Sequence, residues 1–414
     1  MKIVILSDDF PPKSFGGAGI IAYNLAKKLL EKGNEVLVVT ITDESHESGL
    51  SSFGALGVYK IYSKYDMRWR AYKSLYNKGV LVEVEKILKE FSPDVVHAHN
   101  IHTHLSYAVL KLAKEFSKAV FLTMHDVMSF HYGKLGAIVD DKGGVVLEKV
   151  TPFKQLVQYR FFYNPFRNIL IKHYLKYTDK IFAVSDALKT ALESNGVKPI
   201  ETLHNGIDIS EWQVDGEKIE QTKDKLQLNG KKVLFFGGRL SSAKGSMTTV
   251  EVLKKVSDNV QNTVLLVAGE QGKSSEEILH KAKEMGVEDR IVFTGWVSRE
   301  EMKYVYRVSD VVLVLSRYLD PFPTVNLEAM ASKKPIVGAV FGGTKEAVID
   351  GLNGYIVDPS NVEVVVERVV DLINNTEKAL QFGTSGYTRV VTEFNSDDWV
   401  NKTLLCYAGI LKNK

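Results

Sequence analysis

The 414-residue chain is 45% hydrophobic, 25% charged and 10% aromatic, with a single cysteine, values that exclude a disordered, collagen-like or disulfide-scaffolded protein. Its length favours two domains over one core. With 53 basic against 50 acidic side chains the net charge is only +3, too little to predict a nucleic-acid partner.

Cys406 has no intramolecular partner, which points to a reducing compartment. The first apolar run, Ile3 to Leu6, is too short for a secretory signal and meets Asp8 and Asp9 at once. No stretch approaches the roughly 18 apolar residues of a membrane span. A cytoplasmic protein is the expectation.

Short β-branched runs separated by longer stretches of helical spacing predict parallel sheets wound by crossover helices. In the first half they fall at 2–6, 35–40, 58–61, 95–97, 120–123 and 181–184. The polar stretch from Thr42 to Ser52 reads as a mobile loop. A second series follows at 201–203, 233–236, 263–267, 291–293, 311–315, 336–338 and 355–357. Gly196, Pro199 and the pair Asn205-Gly206 punctuate the change. The expectation is an N-terminal domain, 1–199, completed by a C-terminal helix over 395–414, and a second domain, 200–394. Two doubly wound α/β domains facing one another would bind ligands in a crevice at the carboxyl ends of their strands.

Gly17 to Ala22 fits the spacing of the dinucleotide fingerprint, but Ser7 to Gly16, with Pro11-Pro12, separate it from the strand. What survives is a glycine-rich loop entering a helix, able to bring backbone N–H groups against a phosphate. Gly272-Lys273-Ser274 lacks the earlier glycine of a nucleotide-triphosphate loop. His97, His99, His102 and His104 crowd one strand end without a flanking cysteine and read as a polar crevice edge rather than a zinc site. His125-Asp126 follows the strand at 120–123, at the end where doubly wound folds place site residues. Arg239 and Lys244 lie on the glycine-rich turn after the strand at 233–236, and suit a diphosphate. Asp320 and Glu328 bracket the entry to an apolar helix, where carboxylates can accept from vicinal hydroxyls.

Gly16-Gly17-Ala18, Asp94 to His99, His125-Asp126, His204 to Asp208, Gly238 to Leu240 with Lys244-Gly245, and Asp320 to Ala331 resemble the retaining, nucleotide-sugar-dependent glycosyltransferases of family 4. The resemblance spans nearly the whole chain and implies the GT-B fold of two Rossmann-like domains. It implies an NDP-hexose donor, no metal, and front-face transfer with retention at the anomeric carbon. By the same resemblance Arg239 and Lys244 bind the diphosphate, Gly17 brings an amide to the phosphates, and His125 bonds the sugar near O6. Backbone amides at Thr324 and Val325 hold the sugar and a phosphate, and Glu328 holds the ribose. The family has two glutamates separated by seven residues at that motif. This chain has Asp320 in the first place, one methylene shorter, which leaves the donor sugar open. Asp126 and His99 are acceptor-side candidates.

The acceptor expected is a glycan, a lipid-linked carrier or a small polyol. Residues 154–180 interleave Lys154, Arg160, Arg167 and Lys172 with aromatics. Packed helices with an aromatic core and solvated cations are the first reading of that segment, and peripheral contact with an anionic membrane the second. Ser129 to Val150 reads as an acceptor-side lid. Rival functions are a nucleotide-sugar epimerase on the same fold, a dinucleotide-dependent oxidoreductase, and a binding protein without activity.

Overall fold

The structure, a computed structural model, describes residues 1–13, 17–133, 150–197, 199–238, 240–269 and 272–414. Contacts divide them into two compact units. The first holds the described part of 1–205 together with Ser396–Lys414, and the second is Gly206–Asn395.

In the first unit the strands are β1 (Lys2–Leu6), β2 (Glu35–Thr42), β3 (Gly49–Phe53), β4 (Leu56–Tyr62), β5 (Val95–Ala98), β6 (Ala119–Met124), β7 (Lys180–Ala183) and β8 (Glu201–Thr202). They form one sheet in the order β3-β4-β2-β1-β5-β6-β7-β8, parallel except for β3. The central strands are near-continuous Val, Ile and Leu because both faces are covered, as in other crossover sheets. Helix Gly17–Glu31 buries Ile21, Ala22, Leu25 and Leu29 at helical spacing, one apolar stripe against the sheet.

Helix Ser396–Lys412 closes the same core. Trp399, Val400 and Tyr407 join the cluster built on Ile3, Ile5 and Phe121, each burial stabilising the unit by roughly 1.5–3 kcal/mol. Asp397 and Asp398 lie in its first turn, where the helix dipole favours negative charge, and Lys32 meets Asp397 at 3.2 Å.

Two expectations need correction. The strand expected to open the second domain, Glu201 to Leu203, is β8 and pairs in parallel with β7 of the first sheet. Thr42 to Ser52 is not a loop: a turn at Ser45–Glu47 leads into β3, which runs antiparallel to β4 as the sheet's edge. Glu47 anchors that turn, accepting from Thr42 Oγ1 at 3.2 Å and Lys60 Nζ at 3.0 Å.

The second unit contains β9 (Lys232–Phe236), β10 (Thr263–Val267), β11 (Ile291–Phe293), β12 (Val311–Val314), β13 (Ile336–Ala339) and β14 (Gly354–Val357), all parallel, in the order β11-β10-β9-β12-β13-β14. Leu234, Phe236, Leu265 and Leu313 pack against Val250, Leu253 and Val256 of helix Ser246–Asn259.

Both sheets reverse their winding at one place. In the first, β1 lies between β2 and β5, and in the second, β9 lies between β10 and β12. The loops leaving these strands at their carboxyl ends diverge to opposite faces and leave a crevice, the usual ligand position in open α/β sheets.

Candidate active site

At the second unit's switch point the turn after β9 meets the loop after β12. Lys244 ends a short turn, Ser242–Lys244, and its Nζ donates to Asp320 Oδ2 at 2.6 Å. Ser316 Oγ donates to the same oxygen at 2.7 Å. The Asp320 carboxylate is buried, with only 5% of its side chain exposed, against 23% for Lys244. A carboxylate so placed requires a cation and a second donor to offset its lost hydration. The Lys244 ammonium also lies 5.4 Å from the centre of the Tyr318 ring.

Two glycines make this approach sterically feasible. Gly245 has φ +86, and a Cβ there would stand 2.1 Å from the Leu315 carbonyl oxygen. Gly342 has φ +71, and its Cβ would stand 2.1 Å from the Asp320 carbonyl oxygen. The Gly343 N–H donates to that oxygen at 2.9 Å, so the β12 loop is held from both sides.

Helix Thr324–Ala331 begins beside it. Its N-cap is Pro323, and among the described residues no side chain caps it, so its first turn points backbone N–H groups outward with the dipole's positive end. Glu328, one turn in, accepts from the buried Tyr306 hydroxyl at 2.5 Å. Tyr306 is packed edge-on to Phe235 and Trp212, and burial with the Glu328 charge beside it pushes its phenol far above the usual range. Glu328 is thereby fixed in orientation. The buried hydroxyls of Ser241 and Ser246 have no hydrogen-bond partner in the protein among the described residues. A cation, a helix N-terminus, two unfilled hydroxyls and an oriented carboxylate form a set suited to a phosphate ester with nearby hydroxyls.

At the first unit's switch point the same construction uses an acid and backbone amides. Asp8 follows β1, and its carboxyl accepts from the N–H groups of Thr103, His104 and Leu105 at 2.7, 3.0 and 2.8 Å. Burial, the largest influence, pushes its pKa up to about 7 although the three amides pull it down. At the end of β5, His97 is bonded on both ring nitrogens, to the Tyr407 hydroxyl at 2.5 Å and to Thr123 Oγ1 at 2.8 Å. Burial holds its pKa down near 3. His99 stacks on His97 with ring centres 4.7 Å apart and meets His125 Nε2 through its Nδ1 at 2.9 Å. Burial and the two neighbouring imidazoles keep it well below the ordinary histidine value. Asp126 lies 3.5 Å from His102 Nε2, and its Oδ1 accepts from the Met128 N–H at 2.9 Å. His104 pairs with Ser63 Oγ at 3.0 Å. His102 and His104 thus take separate partners, whereas His97, His99 and His125 stack in one row.

Within the second unit, then, Lys244, Asp320, Thr324, Val325 and Glu328 lie on the two loops of one switch point and the helix that follows. Within the first, His99, His125 and Asp126 lie together, lining a cavity of about 10 Å³, room for one water. Gly17, the first residue of helix Gly17–Glu31, is exposed, and a Cβ there would meet nothing within 4 Å. Gly19 instead stands against the Asp9 backbone, 2.9 Å from a would-be Cβ, a packing role. Arg239, Gly16 and most of the lid expected at Ser129 to Val150 fall outside the described residues. Sequence reasoning missed Asp8, Ser316 and Tyr306. Asp8 had a signal, its place directly after the first strand; Ser316 and Tyr306 are found only by the side chains they reach.

Residues 15–211 match the family described as Glycosyltransferase Family 4, and residues 218–389 match Glycosyl transferases group 1. The chain belongs to the group 1 glycosyltransferases. It is 27% identical over 402 residues to an uncharacterized glycosyltransferase of Methanocaldococcus jannaschii, covering 91% of this chain and 93% of that one. Its fold is that of sucrose-phosphate synthase from Thermosynechococcus elongatus, with TM-score 0.81 and 16% identity over 100% of both chains. It is also that of Anabaena HepE in complex with UDP-glucose, with TM-score 0.73 and 17% identity over 100% of both. The GT-B architecture expected from the sequence is the one observed. Among the described residues no helix is long and apolar enough to cross a membrane.

Proposed function

We propose that this glycosyltransferase moves a hexose from a nucleoside diphosphate sugar to a glycan, lipid-linked or small polyol acceptor, with retention and without a metal. The observation that carries the reading is the Lys244 ammonium held at 2.6 Å by Asp320 on the β12 loop, where a departing diphosphate needs positive charge. Arg239, five residues earlier in the sequence, is assigned with it to the diphosphate, and Thr324 and Val325 offer the helix N-terminus. Glu328, oriented by Tyr306, suits the ribose hydroxyls. Asp320 replaces the family's glutamate and reaches the sugar only by giving up part of its contact with Lys244 and Ser316. The UDP-glucose complex of the HepE fold relative supports this class of donor.

In the first unit Gly17 is assigned to the phosphates, His125 to the sugar, and His99 and Asp126 to the acceptor side. The step breaks the bond between the anomeric carbon and the leaving phosphate oxygen. It forms one to the acceptor oxygen on the same face, and the acceptor's proton passes to the phosphate. A cytoplasmic location is part of the proposal, resting on the lone Cys406.

Thermal stabilisation by UDP, GDP, ADP and their hexose conjugates, with and without EDTA, tests it. A true ligand at a hundredfold excess over Kd stabilises by about 2.7 kcal/mol. The expected result is a shift with one nucleotide that survives EDTA and is lost in Glu328→Ala. No shift with any of them, or one abolished by EDTA, overturns the donor assignment. The anomeric configuration of the product by NMR decides retention.

A further inference from the structure

One stretch of the first unit is folded with its polar side chains inward and its apolar side chains outward. Helix Pro152–Tyr159 buries Gln155, while Phe153, Leu156 and Val157 are exposed. Beyond it Asn164 and Arg167 are buried, whereas Phe161 is 97% exposed and Phe166 and Ile169 about two-thirds exposed at 66% and 65%. The buried polar groups are satisfied. Gln155 Nε2 donates to the Phe130 carbonyl at 2.5 Å, and Asn164 Nδ2 to that of Ala71 at 3.2 Å. The Arg167 guanidinium donates to the Met128 carbonyl and lies 4.8 Å from the centre of the Tyr132 ring. Phe161, Phe162 and Phe166, expected as core, are therefore on the outer face, whereas Tyr159 and Tyr163 pack on Tyr132, so the packed-helix reading of the segment holds only in part.

A second stretch shares this face. Arg70 donates to the Tyr132 carbonyl, and a crevice of about 250 Å³ is lined by Met67, Arg68 and Arg70 on one side and by Tyr132, Tyr159 and Phe162 on the other. Trp69 and Tyr72, edge to face at 6.0 Å, are both exposed beside it. Single exposed apolar residues need no explanation, but a contiguous patch of large aromatics marks an interaction surface.

Charge selects the partner. Neither 67–78 nor 150–178 contains an Asp or Glu, and Lys73, Lys154, Arg160, Lys172 and Lys176 are exposed among the aromatics. We propose that this two-segment face docks the protein peripherally on an anionic lipid bilayer. The aromatic rings enter at headgroup depth, and the cations meet lipid phosphates. The proposal does not depend on the donor assignment.

Co-sedimentation of the full chain with vesicles of phosphatidylcholine alone, or with phosphatidylglycerol added, tests it. Binding is expected to the anionic vesicles only and to weaken with salt. The double variant Phe161→Ser, Phe166→Ser should lower partitioning by about tenfold or more. Arg160→Glu with Lys176→Glu should remove the preference for anionic lipid. Both should keep the thermal unfolding profile of the parent, since all four side chains are exposed. The proposal is overturned if the parent binds neither vesicle or both equally, or if the phenylalanine variant partitions like the parent. It is also overturned if light scattering shows that variant dissociating an oligomer of the parent, because the face would then be covered by a second copy. Failure on vesicles leaves any nucleotide-induced stabilisation intact, so this proposal and the donor reading fail separately.

Discussion

Removing the charge of Asp320 should have opposite effects on the binding of a bare nucleoside diphosphate and on turnover. In the structure the Lys244 ammonium is committed to the Asp320 carboxylate at 2.6 Å. A diphosphate arriving there must share the cation with that carboxylate and accept a negative neighbour. Asp320→Asn keeps the shape and removes both handicaps. With Lys244 23% exposed, the pair sits between the surface and buried limits, and the competing interaction is worth about 1 kcal/mol, roughly fivefold in affinity. Nucleoside diphosphate binding should therefore tighten by that order. Turnover should fall, because the carboxylate that steadies Lys244 is lost. Lys244→Ala should instead weaken the diphosphate and lower turnover by about a hundredfold, as for loss of a preorganised electrostatic group. It should also destabilise the second unit by about 2 kcal/mol, since removing one partner strands a buried carboxylate with, among the described residues, only Ser316 as side-chain donor. Isothermal titration with the stabilising nucleotide, steady-state kinetics and urea unfolding read the three effects. Weaker diphosphate binding by Asp320→Asn, parallel to Lys244→Ala, would refute the reasoning, because the carboxylate would then be assisting the phosphates rather than competing for their cation.

Tyr306→Phe removes the hydroxyl that orients Glu328, and should weaken nucleotide affinity by about tenfold with little change in turnover at saturation, measured as KM against kcat. Gly342→Ala would place a Cβ 2.1 Å from the Asp320 carbonyl oxygen at φ +71. It should cost about 2–4 kcal/mol and abolish nucleotide-induced stabilisation, checked by urea unfolding and thermal shift. The pH dependence of stability should carry two opposed contributions in the first unit. Asp8, raised to about 7, favours the folded state most below the ordinary carboxyl value of 3.8, and that contribution is lost as pH rises through 7, roughly 4 kcal/mol in all. His97, lowered to about 3, acts in reverse, its contribution being complete above 6.5 and lost as pH falls toward 3. The two should nearly cancel between pH 4 and 6.5, and His99, also held low by burial, adds to the rising side, so Asp8→Asn should steepen the climb of melting temperature with pH across that range. An unchanged profile in Asp8→Asn would contradict the assignment.

Strand positions were legible because a crossover sheet needs β-branched runs that no other element requires, and runs such as Thr263–Val267 are bounded by turn residues. Partner choice was not. Residues 201–203 sit beside Asn205-Gly206 in the chain, yet β8 adds to β7, which only tertiary geometry decides. β3 was missed because its Gly49, Ser51 and Ser52 lie on an edge exposed enough to need no apolar alternation. The segment over 152–170 misled for another reason. An apolar period shows that one face differs from the other, but not which face is inward when Gln155, Asn164 and Arg167 can each satisfy a buried carbonyl. At the site, Lys244, Asp320 and Glu328 were legible as charges on strand-to-helix loops. Their partners Ser316 and Tyr306 were not, since a serine or tyrosine carries no signal of the carboxylate it will meet.

The two switch points solve one geometric problem with different charges, and the difference bears on the proposed division of labour. Each must tie a loop leaving one inner strand to a loop leaving the neighbouring one. In the first unit Asp8 does this through three backbone amides and, among the described residues, no cation, and its carboxyl is driven toward the neutral acid. The imidazoles at the end of the neighbouring strand β5, His97 and His99, are held neutral by burial. In the second unit Asp320 is tied by an ammonium, so positive charge stands at the crevice edge next to a helix N-terminus. Neutral, directional donors and acceptors suit hydroxyl groups, whereas phosphates need a cation to offset their charge. On the proposed reading the nucleotide therefore belongs to the second unit, and the uncharged groups of the first serve the sugar and the acceptor. Moving charge across that division tests it. Asp8→Asn should leave nucleotide-induced stabilisation unchanged, whereas Lys244→Ala should remove most of it, and loss of the shift in Asp8→Asn would show that the first unit's acid is coupled to the phosphates.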